Sequence, residues 1–430
     1  MATGNTSHVM CGMSELEYSP AKLVQNEIDH AYTTELTPHN SIVPGNNIIF
    51  HIEGGTDFVD LANTHLVVDI RLSKSDGTGL TDANKVCPIN NIFHSMWSQI
   101  QVKLKDVNIS HPSPNYGFRS YLENLLCFSN DSKKTWMKSQ GWYFDEAAKF
   151  DDEENAALTT RRDMVLSNKI YRVKGRLSTD VGNQALLIPS LTDIAITLTP
   201  QRPEFTILNF DRDDSKYQIN ILSAKLVVRK VKLYPAAVLD FERHIAKSQA
   251  KLPISQVKVT TLSIPQGLSS YSHNSLFNGT LPQYIVVGFL KNSAYSGTFT
   301  SNPFNFIHND LNHIQLKVNE RLVPTLPITP NYDLDQFGEA YESVYTVIGK
   351  LYQDWSSGLS FEDFKGGSAL YGFSLNNDTL CRHDSSNLTG QVDIALKFAK
   401  PLPETTTMIV YSSTQAVIII DQHRNVLLES

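Results

Sequence analysis

Pro88–Ser110 reads PINNIFHSMWSQIQVKLKDVNIS, and His111–Phe144 continues HPSPNYGFRSYLENLLCFSNDSKKTWMKSQGWYF. In the first part Trp97, Ile100, Val102 and Leu104 fall nearly into alternation, then stop at the polar turn Asp106-Val107-Asn108. That is the period of a half-buried strand. In the second part Phe118, Tyr121, Leu122, Leu125 and Leu126 recur at steps of three and four, which gives a helix one apolar face. The spacing predicts a helix over Gly117–Phe128, interrupting a chain that otherwise reads as β.

Outward from this block, short β-type runs alternate with turn clusters. Ile48–Glu53, His65–Leu72, Trp97–Leu104, Lys169–Leu177, Asp193–Thr199 and Leu222–Leu233 are the strand candidates of the first half. Val257–Ile264, Gln283–Leu290, His313–Val318, Ala369–Leu375, Val392–Phe398, Met408–Tyr411 and Val417–Asp421 follow in the second. In Gln391–Phe398, Val392, Ile394, Leu396 and Phe398 share one face, as a strand over a core requires. Many short strands between Gly, Pro, Asn and Asp turns read as sandwich or barrel. Tyr234–Pro253, with Pro235 and Pro253 at its ends, reads as a helical connector between two β units. Two stretches read as surface loops: the charged Asp145–Asp163, because charge runs do not bury themselves, and the Ser/Thr/Gly-rich Asn292–Pro303.

Composition sets the class. With 430 residues the chain exceeds the roughly 250–300 residues at which single cores stop growing. Hydrophobic residues make up 41% and charged residues 19%, and the 20 Phe, 17 Tyr and 4 Trp suit β cores and interfaces. Net charge is −7, and residues 1–50 set Glu15, Glu17, Glu27, Asp29 and Glu35 against Lys22. An arm that neutralised nucleic-acid phosphates would be basic, so direct genome binding is not expected of it. Cys11, Cys87, Cys127 and Cys381 lie far apart with no CxxC pair, which predicts reduced thiols and no zinc site. The N-terminus has no apolar signal core, and the longest apolar run, Ala416–Ile420, is too short to span a membrane.

Catalytic constellations are not found. There is no HExxH, and no two histidines sit two apart. Gly349-Lys350 is followed by Leu351 and lacks the leading glycine of a phosphate loop, and Gly366-Gly367-Ser368-Ala369-Leu370 fails as a nucleophile elbow at its last position. Asp60 reads as a polar residue of a turn before a strand near Leu66, and His273 and His308 as loop or core histidines. No catalytic residue, metal or cofactor is expected.

Several segments together resemble the double jelly-roll major capsid proteins of Polinton/Maverick-type elements and adintovirus-like viruses. The carriers are DFVDLANTHL (Asp57–Leu66), NNIFHSMWSQIQVKL (Asn90–Leu104), YGFRSYLENLL (Tyr116–Leu126) and GWYF (Gly141–Phe144). In the second half they are SHNSLFNGTLP (Ser272–Pro282), NPFNFIH (Asn302–His308), Phe398–Tyr411 and IDQHRNV (Ile420–Val426). From about residue 45 onward the order of these segments, more than any one of them, is specific.

The resemblance implies an all-β fold, a double jelly roll: two eight-stranded β-sandwiches in tandem with short helical insertions. Its expected layout is an N-terminal arm over 1–45, a first jelly roll over 46–234 with a helical insertion near 116–145, a connector over 235–253 and a second jelly roll over 254–430. It implies a major capsid protein, not an enzyme. Three copies would form a pseudo-hexagonal capsomer in the icosahedral shell of a double-stranded DNA virus or virus-like transposon. Partners would be neighbouring capsomers, penton proteins and minor capsid or cement proteins, in a virion assembled inside the host cell. Phe118, Tyr121, Trp136, Trp142, Tyr143 and Phe144 are the candidate trimer-interface residues. An apolar helix face says only that it is buried, so the alternative that this helix covers its own sandwich stays open. Rival readings are a carbohydrate-binding or carbohydrate-active sandwich, a single jelly-roll RNA-virus capsid and a domesticated host copy of the capsid gene. The acidic first 50 residues oppose the second of these.

Overall fold

The computed structural model describes residues 27–211, 215–375 and 389–429. Cys11, Cys381 and the acids Glu15 and Glu17 lie outside the described residues. Strands of the first half are β1 (Ile28–Leu36), β2 (Ile48–Ile52), β3 (Phe58–Lys74), β4 (Val86–Pro88), β5 (Trp97–Leu104), β6 (Val107–Asn108), β7 (Tyr171–Gly175), β8 (Ile194–Pro200), β9 (Ile207–Asn209) and β10 (Tyr217–Leu233). The second half supplies β11 (Ala250–Ile264), β12 (Ser270–Thr280), β13 (Tyr284–Lys291), β14 (Leu311–Val318), β15 (Arg321–Ile328), β16 (Leu370–Ser374), β17 (Thr389–Phe398), β18 (Thr406–Ile420) and β19 (Val426–Glu429). Helices fill the connections: α1 (Ile92–Ser95), α2 (Tyr116–Cys127), α3 (Asn130–Lys134), α4 (Ala156–Asp163), α5 (Pro203–Thr206), α6 (Pro235–Lys247), α7 (Asn292–Ser296), α8 (Gly338–Val347) and α9 (Phe361–Lys365), with a 3₁₀ turn at Trp136–Gln140.

Two sandwiches result. The first faces the sheet β1-β10-β3-β7 against β2-β8-β5-β6, and the second faces β11-β18-β13-β16 against β12-β17-β14-β15. All inter-strand pairings in these sheets are antiparallel. Two tandem sandwiches of two four-stranded faces are a double jelly roll, with β19 added beside β18. Alternation does what the sequence predicts: Val392, Ile394, Leu396 and Phe398 of β17 are all buried.

The sandwiches are not separate cores. β11 and β18 are each 15 residues long. They reach past their own sandwich, so Leu252, Ile254, Ala416, Ile418 and Ile420 pack in the first core beside Leu66, Val68 and Trp97. In return Phe118, Tyr121 and Trp142 of the first half sit in the second core.

Several expectations are corrected here. The 1–45 arm contains a strand, since Ile28–Leu36 pairs with β10 along the first sandwich; its exposed polar pattern hides it from periodicity. The 235–253 connector is helical only to Lys247, and β11 begins at Ala250. Pro253 lies inside that edge strand, where a missing N–H is tolerated. Asp145–Asp163 is not a solvated loop: Asp145, Phe150, Asn155, Leu158 and Arg161 are buried, and the stretch contains α4. Asn292–Pro303 likewise opens with α7, Asn292–Ser296, and buries Ala294 and Asn302. Asp60 lies within β3 at a register shift, where its carboxylate accepts from the Asn63 N–H at 3.0 Å and from Arg229 at 2.9 Å. His273 stacks on Tyr271 and His308 on Tyr332.

Because Ile418 belongs to the second sandwich by strand and to the first by packing, Ile418→Ala should destabilise the whole chain. A loss of about 2–5 kcal/mol is expected for such a truncation. Urea unfolding followed by fluorescence and by far-UV circular dichroism should give one shared transition; two separated transitions would show independent sandwiches.

Candidate functional site

The residues singled out from the sequence converge on the seam between the sandwiches. α2 runs through it, and every residue from Tyr116 to Leu126 is buried, polar ones included. Its aromatic residues pack against Phe304 and Phe306 of the second half. Tyr121 stacks on Phe304 with ring centres 4.0 Å apart and planes 3° from parallel. Phe118 meets the same ring edge-on at 5.9 Å, and Phe205 at 5.4 Å. Trp142 closes the other side of Tyr121 at 5.3 Å. Gly141 makes this approach possible. Its φ of +76° ends the 3₁₀ turn, and a Cβ there would fall 2.5 Å from the Ile92 side chain.

Burying the polar residues of α2 requires partners, and the first sandwich and β11 supply them. Arg119 binds Asp180 at 2.7 Å and Glu123 at 3.0 Å. The same Asp180 oxygen, Oδ1, also accepts from the Val257 N–H at 3.1 Å, while Asn115 and Ser113 donate to the Val259 carbonyl at 3.3 Å. Asn124 donates to Asn91 at 3.0 Å. At the helix start Tyr116 hydroxyl meets His94 Nδ1 at 2.9 Å; burial drives the His94 pKa down to about 3, so this imidazole stays neutral. Beside Arg119 a cavity of about 20 Å³ lies between His111, Asn115, Thr179 and Val257, water-sized and no larger.

A second lock joins the two stretches that read as loops. Arg161 Nη2 donates to Asp145 Oδ1 at 2.6 Å, and its other nitrogens donate to the carbonyls of Tyr143 at 2.6 Å and Pro88 at 3.1 Å. The free side of Asp145 accepts from Asn302 Nδ2 at 3.1 Å. Asn302 also donates to the Phe150 carbonyl at 3.2 Å, and Asn305 donates to Asp151 at 3.2 Å. Burial pushes the Asp145 carboxyl above its ordinary value, against the opposing pull of Arg161.

Lys133 is a third tie. Its Nζ donates to the Leu125 carbonyl at the end of α2 at 2.5 Å and to the Ser357 carbonyl of the second sandwich at 2.6 Å. Burial lowers its pKa to about 7.

The six candidate interface residues therefore divide. Phe118, Tyr121 and Trp142 are 2%, 0% and 1% exposed and hold this chain's own sandwiches together. Within this chain they are buried, so they leave no exposed surface of their own. Trp136 is 48% exposed, edge-on to Phe128 at 5.3 Å. Tyr143 and Phe144 are half-buried, Tyr143 beneath the Lys138 ammonium. Asn302, Asp145, Arg161 and Asp180 escape periodicity because polar residues give no periodic signal; of these four, Asn302 lies in the NPFNFIH segment. Among the described residues no group of three or more His, Cys, Asp or Glu side chains is placed to hold a metal, and no helix is long and apolar enough to cross a membrane.

No family model matches the sequence. An uncharacterized protein of Caenorhabditis elegans is 22% identical over 405 residues, covering 89% of this chain and 94% of that protein. Among solved structures, a chain of the Sputnik virophage structure superposes on 98% of this chain and 92% of its own length, with a TM-score of 0.65 at 11% identity. The PBCV-1 virus capsid gives 0.58 at 12% identity over 95% and 98%, and the mavirus major capsid protein 0.55 at 10% over 97% and 93%. The shared fold is the double jelly roll, matched end to end.

The Asp145–Arg161 pair lends itself to a double-mutant cycle. Arg161→Met strands a buried carboxylate and should cost about 3–5 kcal/mol, whereas Arg161→Met with Asp145→Leu should cost clearly less than the two single changes summed. Additive costs in urea unfolding would mean that the pair is not coupled. Lys133 gives a pH signature. Its depressed pKa means that between about pH 7 and its ordinary 10.5 the unfolded chain binds the extra proton, so stability rises with pH in that window. The advantage of wild type over Lys133→Met should grow from pH 7 upward, by at most about 1.4 kcal/mol per unit; a flat difference would place the titration elsewhere.

Proposed function

We propose that this chain is the major capsid protein of a double-stranded DNA virus or virus-like transposon, and not an enzyme. The observation that carries the reading is the end-to-end match of both sandwiches, seam included, to capsid proteins of double jelly-roll architecture. A fold alone does not fix a function. Here, however, the two sandwiches are fused by a buried seam into one rigid block, which is what a shell-building unit needs.

Three such blocks, each with two pseudo-equivalent sandwiches, close into a pseudo-hexagonal trimer through head-to-tail contacts. Obligate interfaces of this kind bury roughly 2,000–5,000 Å². The exposed Trp136 and the half-buried Tyr143 and Phe144 are the remaining aromatic candidates for that contact, in keeping with the enrichment of Trp and Tyr at binding hot spots. Penton and minor capsid proteins would be further partners, in a virion assembled within the host cell. The C. elegans relative favours a more specific version, a Polinton/Maverick-type capsid gene carried in animal genomes, either active or retained by the host.

Light scattering of the purified chain should report a trimer, and negative-stain microscopy should show hexagonal blocks. Monodisperse monomers would sink the capsid reading. Trp136→Asp should weaken the trimer while leaving the thermal transition of the fold in place; an unchanged trimer would remove Trp136 from the contact.

A further inference from the structure

The polar ties between the first sandwich and β11 gather around one histidine. Gln256 donates to the Ile109 carbonyl at 3.4 Å, and Ser113 and Asn115 donate to the Val259 carbonyl at 3.3 Å. Asp180 accepts from the Val257 N–H at 3.1 Å. His111 lies within Ile109–Asn115, the segment that leads into α2, and lines the same small cavity as Asn115, Arg119, Thr179, Val257 and Val259. The ring is half-buried. Its Nδ1 is covered and makes no hydrogen bond among the described residues.

The charges facing this imidazole are mixed. Lys258 of β11 and Arg119 of α2 oppose a proton on it, while Asp180 attracts one. Asp180 is already engaged by Arg119 at 2.7 Å, and Arg119 also binds Glu123 at 3.0 Å. Beyond Tyr116, which shares the cavity, His94 is fully buried, with Arg176 as its charged neighbour and the uncharged Gln140 beside it. Burial comes first among the causes that hold the His111 pKa below its ordinary 6.5, and Lys258 second, against the pull of Asp180. Both causes come in part from β11: Val257 and Val259 wall the cavity, and Lys258 lies between them in the strand. A proton on His111 is penalised by the strand it meets across the seam.

We propose that His111 is an acid-sensitive latch on the seam: a proton taken up there loosens the first sandwich from β11 while both sandwiches stay folded. When β11 moves away, water reaches the ring and Lys258 recedes, so the open form binds the proton more tightly than the closed one. The latch is therefore fully closed above about pH 6.5 and weakens as pH falls toward the lower value of the closed form. For a single group the opening equilibrium can grow by at most about tenfold per pH unit. The proton comes from solvent, and only an N–H bond is made. His94, held down to about 3, takes its proton only when the fold opens further, so it steepens global acid unfolding without setting the latch. The latch belongs to the single chain and does not depend on the capsid reading.

The test follows amide hydrogen exchange of the full chain by mass spectrometry from about pH 7.5 to about pH 5, corrected for the intrinsic pH dependence of exchange. Protection of Val257–Thr261 should fall with pH while that of β8, inside the first sandwich, holds. In His111→Gln, its fold checked by thermal melting, the protection of Val257–Thr261 should stay level over the same range. An NMR titration of the imidazole rings, with the His111 signal assigned by its loss in that variant, should place His111 below 6.5. A fall of equal size in wild type and His111→Gln would overturn the proposal. So would a fall shared by β8, which is global unfolding and not a step at the seam, or a His111 ring that titrates at or above 6.5.

Discussion

The structure depends on one helix being buried all round. A helix with a single apolar face needs one surface to lie on, but α2 has a sandwich on either side. Its polar residues must then find partners inside the protein or carry the cost of lost solvation. Arg119 reaches Asp180 and Glu123, and Asn124 reaches Asn91. Because Asp180 also caps Val257 of β11, satisfying the helix and closing the edge of the second sandwich are one arrangement. Shifting either sandwich would break both.

From that constraint follows the division between interior and exterior. The aromatic column Phe304, Tyr121 and Trp142 and the Asp145–Arg161–Asn302 lock lie within the chain, so the two sandwiches form one body before any neighbour arrives. A body that is already rigid loses little freedom on binding anything, which favours specific contacts over large adaptive ones. Exposed residues such as Trp136 are then free to vary without touching what holds the fold.

Much of this was legible in the sequence, and the limits have physical causes. β17 and β5 were readable because one face is buried and the other wet, so apolar residues alternate. β1, β12 and β15 escaped for the opposite reason: as edge strands with largely exposed faces they need no alternation, and two prolines further disguise β15. α2 was legible as a helix but not as an internal one, since five apolar positions define a face without saying what lies beyond the others. The charged stretch at Asp145–Asp163 misled because charge usually means solvent. Here Asp145 and Arg161 neutralise each other and their remaining bonds are all met, which is the condition under which ions can be interior.

That condition also bears on how such a fold persists at 10–12% identity to proteins of the same architecture. Strand pairs tolerate wide exchange among apolar residues so long as volume and pattern survive. A lock like Asp145–Arg161–Asn302 does not, because loss of one member strands the others in a dry site. Divergence should therefore run fastest on exposed edges and loops and slowest at the few polar ties across the seam. The polar ties of the seam and the strand pattern are therefore the parts that divergence is expected to spare. A reading of function from the fold is strongest for the act of building a rigid block, and the identity of what binds that block has to come from its surface chemistry.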